Sequence, residues 1–340
     1  MGQYYQKGII MPLITKTIDL VSIGNTIVDL EYKISDEKLT ELSIEKGSMN
    51  LIDGKKRDEL TASLGDNVHL CNGGSAANSL FVAKLMGLNV HHLGIVGTDD
   101  LAQFVINDYD QSGIDHSFNE TAVAGDTGCC FVLITPDGER TMLTYLGVSN
   151  QFTSSEFMRA HITSAKRLFI EGYLVADDRS FELIKSDVIP MAKAADTELV
   201  FTLSDAGLIS FFKERFLELI DLKFDIIFCN FQEAAAISNQ DSLDQFQTYF
   251  SKLSQETIIT DGENGAYIIA EQSVTHCPTE SVQPVDTTGA GDSFAGTYLA
   301  LRNRNKSIQL SAQKANQIAS IVISNFGARP TELTKSVSRS

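Results

Sequence analysis

The feature that most constrains this chain is a rhythm: short apolar, strand-like runs recur along its 340 residues, with amphipathic helical stretches between them. The apolar runs lie at 20–23, 90–96, 167–170, 199–203, 225–229 and 257–260, and the helical stretches at 75–86, 100–111, 181–194, 211–220 and 243–253. Strands that alternate with helices pair in parallel, because only a crossover long enough to hold a helix returns the chain to the same end of the sheet. The expected fold is therefore α/β, a doubly wound and mainly parallel sheet with helices on both faces.

Two segments break the rhythm. The first, 31–52, is polar and short-stranded. The second, 113–146, contains a hairpin whose arms, 130–134 and 141–145, are joined through Pro136-Asp137-Gly138. We expect these two to form a small β lid over a core made of 17–30, 53–112 and 147–330, with flexible termini at 1–16 and 331–340. Residues 1–10, ahead of Met11, read as an extension.

Charge narrows the function. A net charge of -17 repels phosphate backbones and anionic lipid, which argues against nucleic acid or membrane as partner and leaves a small molecule. With 43% hydrophobic residues the chain can bury a full core. No apolar run reaches the roughly 18–20 residues of a membrane span, and the N-terminus lacks a long signal-peptide core. Five cysteines without a CxxC pair fit a reduced, cytoplasmic protein. The histidines show no zinc-type spacing, and His91-His92, at the start of an apolar run, read as partly buried strand residues.

An anionic ligand on so acidic a chain must be met by local devices. The stretch Asp286-Thr287-Thr288-Gly289-Ala290-Gly291-Asp292-Ser293-Phe294 supplies one. It opens an apolar-periodic helix, and Gly289, Ala290 and Gly291 leave free N–H groups at the positive end of the helix dipole. Asp292, in the first turn, can accept the proton of an attacking hydroxyl. The GxxxxGK pattern of a phosphate-binding loop is absent, and the glycine spacing is not the GxGxxG of a dinucleotide fold.

That stretch resembles the C-terminal signature of the PfkB (ribokinase) family of carbohydrate and nucleoside kinases. Gly73-Gly74-Ser75-Ala76-Ala77-Asn78 is similar to the family's N-terminal di-glycine motif. The resemblance runs from about residue 18 to 330. It implies ATP as cofactor with Mg2+, and an acceptor held under the lid by Asn25, Asp29, Gly73, Gly74 and Asn78. Asn230-Phe231-Gln232-Glu233 is similar to the family's NxxE element, which places Asn230 near the phosphates and Glu233 on Mg2+ through water. Thr260, Gly262 and Gly265 match a TxGxxG nucleotide loop, and Asn316 falls where relatives approach the adenine. Arg140 is similar to an arginine that closes on the transferred phosphate, which joins Asp292 and its glycines as a catalytic group. Asp286 and Thr288, with the turn Asn325-Phe326-Gly327, are where relatives hold a monovalent cation such as K+.

The GNxxxD pattern, the segment Lys46-Gly47-Ser48-Met49 and the turn before Arg140 look like the adenosine-kinase-like branch. The expected activity is thus phosphorylation of a primary hydroxyl on a purine nucleoside, with Met49, Leu51 and Phe131 as candidate covers for the base. A simple sugar kinase, or a non-catalytic binder of the same fold, stays open. The expected assembly is a monomer or homodimer.

Overall fold

The computed structural model describes residues 15–337. A nine-stranded sheet forms the body. From one edge its strands are Ser273–Cys277, Ala266–Ala270, Ser254–Thr260, Phe224–Asn230, Glu198–Thr202, Ala165–Glu171, Ile18–Ile23, Val90–Leu93 and Asp115–His116. All neighbours from Ser254–Thr260 onward are parallel, and the two strands nearest Cys277 are antiparallel. Ile18–Ile23 lies between Ala165–Glu171 and Val90–Leu93, so the winding reverses there. Ligand crevices of open α/β sheets form at the carboxyl ends of strands around such a point.

Side-chain alternation explains the three layers. Leu20, Phe169, Val200, Ile226 and Phe228 face one core, which helices Ser75–Leu85, Ala290–Asn303 and Ile308–Ile323 complete. Their neighbours Val21, Leu168, Ile170, Phe201 and Ile227 face the other. Strands buried on both faces read as unbroken apolar runs, which is why they were visible in the sequence.

The edge hairpin was not expected. Its turn, Glu271-Gln272, is left-handed at both residues, with φ of 49° and 60°. Two-residue hairpin turns demand that geometry but usually announce it with Asn-Gly or Asp-Gly. The helical stretch at 211–220 is in fact two helices, Ala206–Phe211 and Lys213–Asp221.

The small sheet has the order Met49–Leu51, Arg140–Tyr145, Gly128–Ile134, Ile27–Lys33, His69–Asn72. Sheet membership moves the expected lid boundary in three places. Ile27–Lys33 belongs whole to the small sheet, so 27–30, assigned to the core, lie in it. His69–Asn72, assigned to the core, pairs with Ile27–Lys33 in the small sheet. Asp115–His116, assigned to the lid, pairs with Val90–Leu93 in the large one. Both strands are too short to show a period. One face of the small sheet carries Leu30, Tyr32, Phe131, Leu133 and Leu143, which pack with Leu39 and Leu60 of the helices Asp36–Glu41 and Gly54–Leu64. Phe131 is fully buried there and stacks on Tyr32, so it cannot cover a ligand on the opposite face. Met49 and Leu51 are exposed, in register with Met142 and Thr144.

At the C-terminus, 331–337 is a helix anchored by the fully buried Leu333, which corrects the expectation of a flexible tail over that stretch. Residues 1–14 and 338–340 lie outside the described residues.

Gly296 sets the distance between helices Ser75–Leu85 and Ala290–Asn303. A Cβ there would overlap the carbonyl oxygen of Ser79 and stand 3.0 Å from Val82 Cβ. Gly296→Ala must push the two helices apart and is expected to cost ~1–3 kcal/mol. A lower midpoint in equilibrium denaturation is the expected outcome, and an unchanged midpoint would show that the helices do not need this approach.

Candidate active site

The two helices held together at Gly296 begin side by side at the carboxyl edge of the sheet, and their first turns meet at Asp292. Its carboxylate accepts a hydrogen bond from Ser75 Oγ at 2.6 Å and another from Asn78 Nδ2 at 3.1 Å. Burial raises the pKa of Asp292 to about 6, against the opposing pull of those two donors and of the Arg329 charge. A carboxylate tuned near neutrality is suited to general-base work.

Gly289 caps the Asp292 helix in a left-handed conformation, φ 75°, packed on Ala328 where a Cβ would come within 2.5 Å. The first in-helix bond runs from Ser293 N–H to Gly289 O. The amides of Gly289, Ala290 and Gly291 therefore have no partner one turn back, although Ala290 N–H makes a 3.3 Å bond to Thr287 O. A Cβ at Gly291 would meet nothing within 4 Å, so the ground above this helix end is open.

Two residues that the sequence reading passed over organise the floor. Glu171, at the end of its strand and buried, accepts Asn25 N–H at 2.6 Å and Ala76 N–H at 3.0 Å. It clamps the Gly24-Asn25 turn to the start of the Ser75 helix, and a Cβ on Gly24 would strike it. Burial raises the pKa of Glu171 to about 7 against these two amide donors. An apolar strand ending in a carboxylate was the available signal. Arg329 donates to Asn78 Oδ1 at 2.9 Å and to Asp108 at 3.0 Å, and lies over the Phe81 ring. A single arginine after the last long helix carries no pattern to find it by.

Asn78 is thus engaged at both ends, by Asp292 and Arg329. Asp29 stands against Gly73, where a Cβ would come within 2.5 Å of its carboxylate. Its pKa is raised to about 7 by burial and by Glu31, opposed by Arg140 and Arg329. Gly74 is left-handed, φ 89°, and faces the carbonyl of Asn25. Asp29 and Arg329 help line a cavity of about 470 Å³ together with Glu31, Phe104, Asp108 and Phe326.

Arg140 crosses from the small sheet to the body. It donates to Glu31 at 2.8 Å and to Thr288 Oγ1 at 2.6 Å, and its ion pair with Asp286 is 3.1 Å. Asp286 also accepts the N–H groups of Thr288 and Gly327. The donors expected to hold a monovalent cation are therefore taken up by a guanidinium and backbone amides, and they do not fit a second cation in this arrangement.

On the other flank, Asn230 and Glu233 form a reciprocal helix cap. Asn230 Oδ1 accepts Glu233 N–H at 2.8 Å, while Glu233 accepts Asn230 N–H at 3.1 Å and its Nδ2 at 2.6 Å. Glu233 is buried and raised to about 7, chiefly by desolvation, with Asp205 and Asp292 adding negative charge. Asp205 and Asp292 place negative charge beside the buried Glu233, and hard carboxylate oxygens of this kind suit a hydrated divalent cation. Thr260 ends its strand, and Gly262 and Gly265 shape the turn that follows, both at positive φ. Gly265 packs on the carbonyl of Cys277, whereas a Cβ on Gly262 would meet open space. Asn316 spends its amide on the carbonyls of Cys277 and Pro278, at 2.8 and 3.3 Å, and so holds the chain leading to Asp286. His91 and His92 are buried; His92 bonds Ser22 and Thr26.

Because the folded protein prefers Asp292 protonated, its stabilising contribution is present below the ordinary carboxylate range and lost as pH rises through about 6. Asp292→Asn should therefore raise the thermal midpoint at pH 8, by an amount equivalent to on the order of 1–3 kcal/mol, and the gain should shrink at pH 5. Scanning calorimetry at both pH values checks this; equal destabilisation at both would contradict it.

Residues 43–335 match the pfkB family of carbohydrate kinases. Among solved structures, a probable sugar kinase from Rhizobium etli CFN 42 superposes with a TM-score of 0.86 at 29% identity, covering 96% of this chain and 98% of that one. The adenosine kinase from Sinorhizobium meliloti superposes at 0.85 with 28% identity, covering 95% and 98%. The adenosine kinase of Saccharomyces cerevisiae is 25% identical over 335 residues, 92% of this chain and 96% of the yeast protein. No helix among the described residues is long and apolar enough to cross a membrane. With both signature segments converging on one carboxylate and the family match spanning most of its length, the chain belongs to the pfkB family of carbohydrate kinases.

Proposed function

We propose that this protein transfers the γ-phosphoryl group of ATP to the 5′-hydroxyl of a purine nucleoside. The observation that carries the reading is Asp292 itself, held by Ser75 and Asn78 at the open N-terminus of a glycine-capped helix. Two fixed donors leave lone pairs of the carboxylate for an acceptor hydroxyl, and the ground above Gly291 has room for a phosphoryl group.

Asp292 takes the proton as the hydroxyl attacks, and the amides of Gly289, Ala290 and Gly291 meet charge developing on the phosphoryl oxygens. Arg140 adds a guanidinium from the lid side. Glu171 acts through others, since it keeps the Asn25 turn and the Ser75 helix in place. Asn78 likewise positions Asp292. Mg2+ would be held through water by Glu233 and Asn230 with Asp205 near, where it would offset phosphate charge. The turn at Thr260, Gly262 and Gly265 offers backbone to the nucleotide, and Asn316 supports the chain beside it.

Asp29 faces the acceptor and suits a ribose diol. Phe104 and the exposed Phe326 at the cavity rim offer apolar surface to a base, a better-placed pair than the Met49, Leu51 and Phe131 expected from the sequence. Likeness to the adenosine kinases above supports this choice. One observation favours a free sugar instead: the cavity wall is rich in charge, with Asp29, Glu31, Asp108, Arg140 and Arg329.

Asp292→Asn should lower kcat by ~10²- to 10⁴-fold, the usual contribution of a general base, while ATP binding changes little. In the unsubstituted protein kcat/KM should climb as pH rises through about 6, where Asp292 loses its proton. Near-normal turnover by a folded Asp292→Asn protein would take this residue out of the reaction.

Acceptor choice is tested by competing adenosine, inosine, guanosine, ribose and fructose in one reaction. A purine nucleoside should have the highest kcat/KM, because binding energy from the base can position the hydroxyl. Should a free sugar lead by about tenfold or more, the nucleoside assignment fails and the phosphotransfer assignment stands.

A further inference from the structure

Away from Asp292, the face of the small sheet that looks into the cavity carries a second group of chemistry-bearing side chains. Glu31 on Ile27–Lys33 lies directly opposite His69 on the antiparallel strand His69–Asn72. Cys71 is two residues beyond His69, so all three side chains stand on one face. A carboxylate oxygen, a ring nitrogen and a thiol sulfur from these residues lie within 4.8 Å of one another. Modest side-chain rotation brings such a trio to the bond lengths of about 2.0–2.3 Å that zinc makes with O, N and S donors. Asp29, opposite Cys71 in the same ladder, is the next residue on that face.

We propose that Glu31, His69 and Cys71 bind one zinc-class divalent ion, with water or the Asp29 carboxylate in the fourth position. A mixed sulfur, nitrogen and oxygen set selects a borderline-soft ion over Mg2+, which takes oxygen alone. The donors are reachable: His69 is exposed, Glu31 and Cys71 are half-buried, and all three line the 470 Å³ cavity. Glu31 gives one oxygen to Arg140 and keeps the other. Forming the sulfur–metal bond releases the Cys71 thiol proton to solvent, one per ion bound. The ion would sit beside Asp29, so on the nucleoside-kinase reading, on which this clause rests, it competes with the acceptor.

The test uses the full chain and Co2+ alone, without ATP or acceptor, so that its outcome is separate from the kinase assignment. One equivalent should bind, give a thiolate-to-cobalt charge-transfer absorption and be displaced by Zn2+ but not by excess Mg2+. Cys71→Ser should abolish the absorption, and His69→Asn should weaken binding by about tenfold or more. Cys130→Ser should keep both, because Cys130 is buried and its sulfur accepts from Thr144. Zn2+ that raises the acceptor KM without lowering kcat would add support. No charge-transfer absorption in the unsubstituted protein, or one that survives Cys71→Ser, would overturn the proposal.

Discussion

The contact on which the rest of this structure depends is the pair of hydrogen bonds from Ser75 and Asn78 to Asp292. They join residues more than two hundred positions apart, and they form only because two helix starts are brought to the same point above the sheet. Gly296 allows the helices to touch, Glu171 holds one of them to the first strand, and Gly289 turns the chain into the other. Glu171 sits at the carboxyl edge of a strand and Gly289 at a helix terminus, where backbone donors are free and a fold can use them for something other than itself, while Gly296 lies in mid-helix and sets the spacing.

The same arrangement carries an electrostatic cost. Asp29, Glu171, Glu233 and Asp292 are all raised above the ordinary carboxylate range, each chiefly by burial. On a chain of net charge -17, Asp29 is offset by Arg140 and Arg329 and Asp292 by Arg329, cations that come from a hairpin and from the C-terminal segment. A site that concentrates unfavourable negative charge gains most when positive charge or a proton donor arrives.

How much of this could be read from the chain alone depended on whether a feature was local. Strand periodicity, the two glycine signatures and the Asn230-Phe231-Gln232-Glu233 element are contiguous, and they were legible, although the reciprocal cap that Asn230 and Glu233 form was not. Glu171 and Arg329 act across the fold as single residues, so nothing near them in sequence marks them. The edge hairpin escaped notice because Glu271 and Gln272 adopt a conformation their residue types rarely favour. Asn78, Asn316 and Asp286 were expected to meet a ligand, but residue type does not say with whom an amide or carboxylate is paired. In the structure all three are already engaged, with Asp292 and Arg329, with two carbonyls, and with Arg140 and backbone N–H groups.

Arg140 carries a last consequence. Its guanidinium is held by Glu31 on the lid side and by Asp286 and Thr288 on the body side, so the protein's own acids engage the group that is proposed to meet a phosphate. An arriving phosphoryl group would then displace a tenant and not fill a void. Binding becomes an ion exchange, in which the attraction gained at Arg140 is largely attraction already present, moved from carboxylate to phosphate. Such a latch adds little to affinity and much to discrimination, because a ligand with no anion to trade leaves the lid and the body tied as they were.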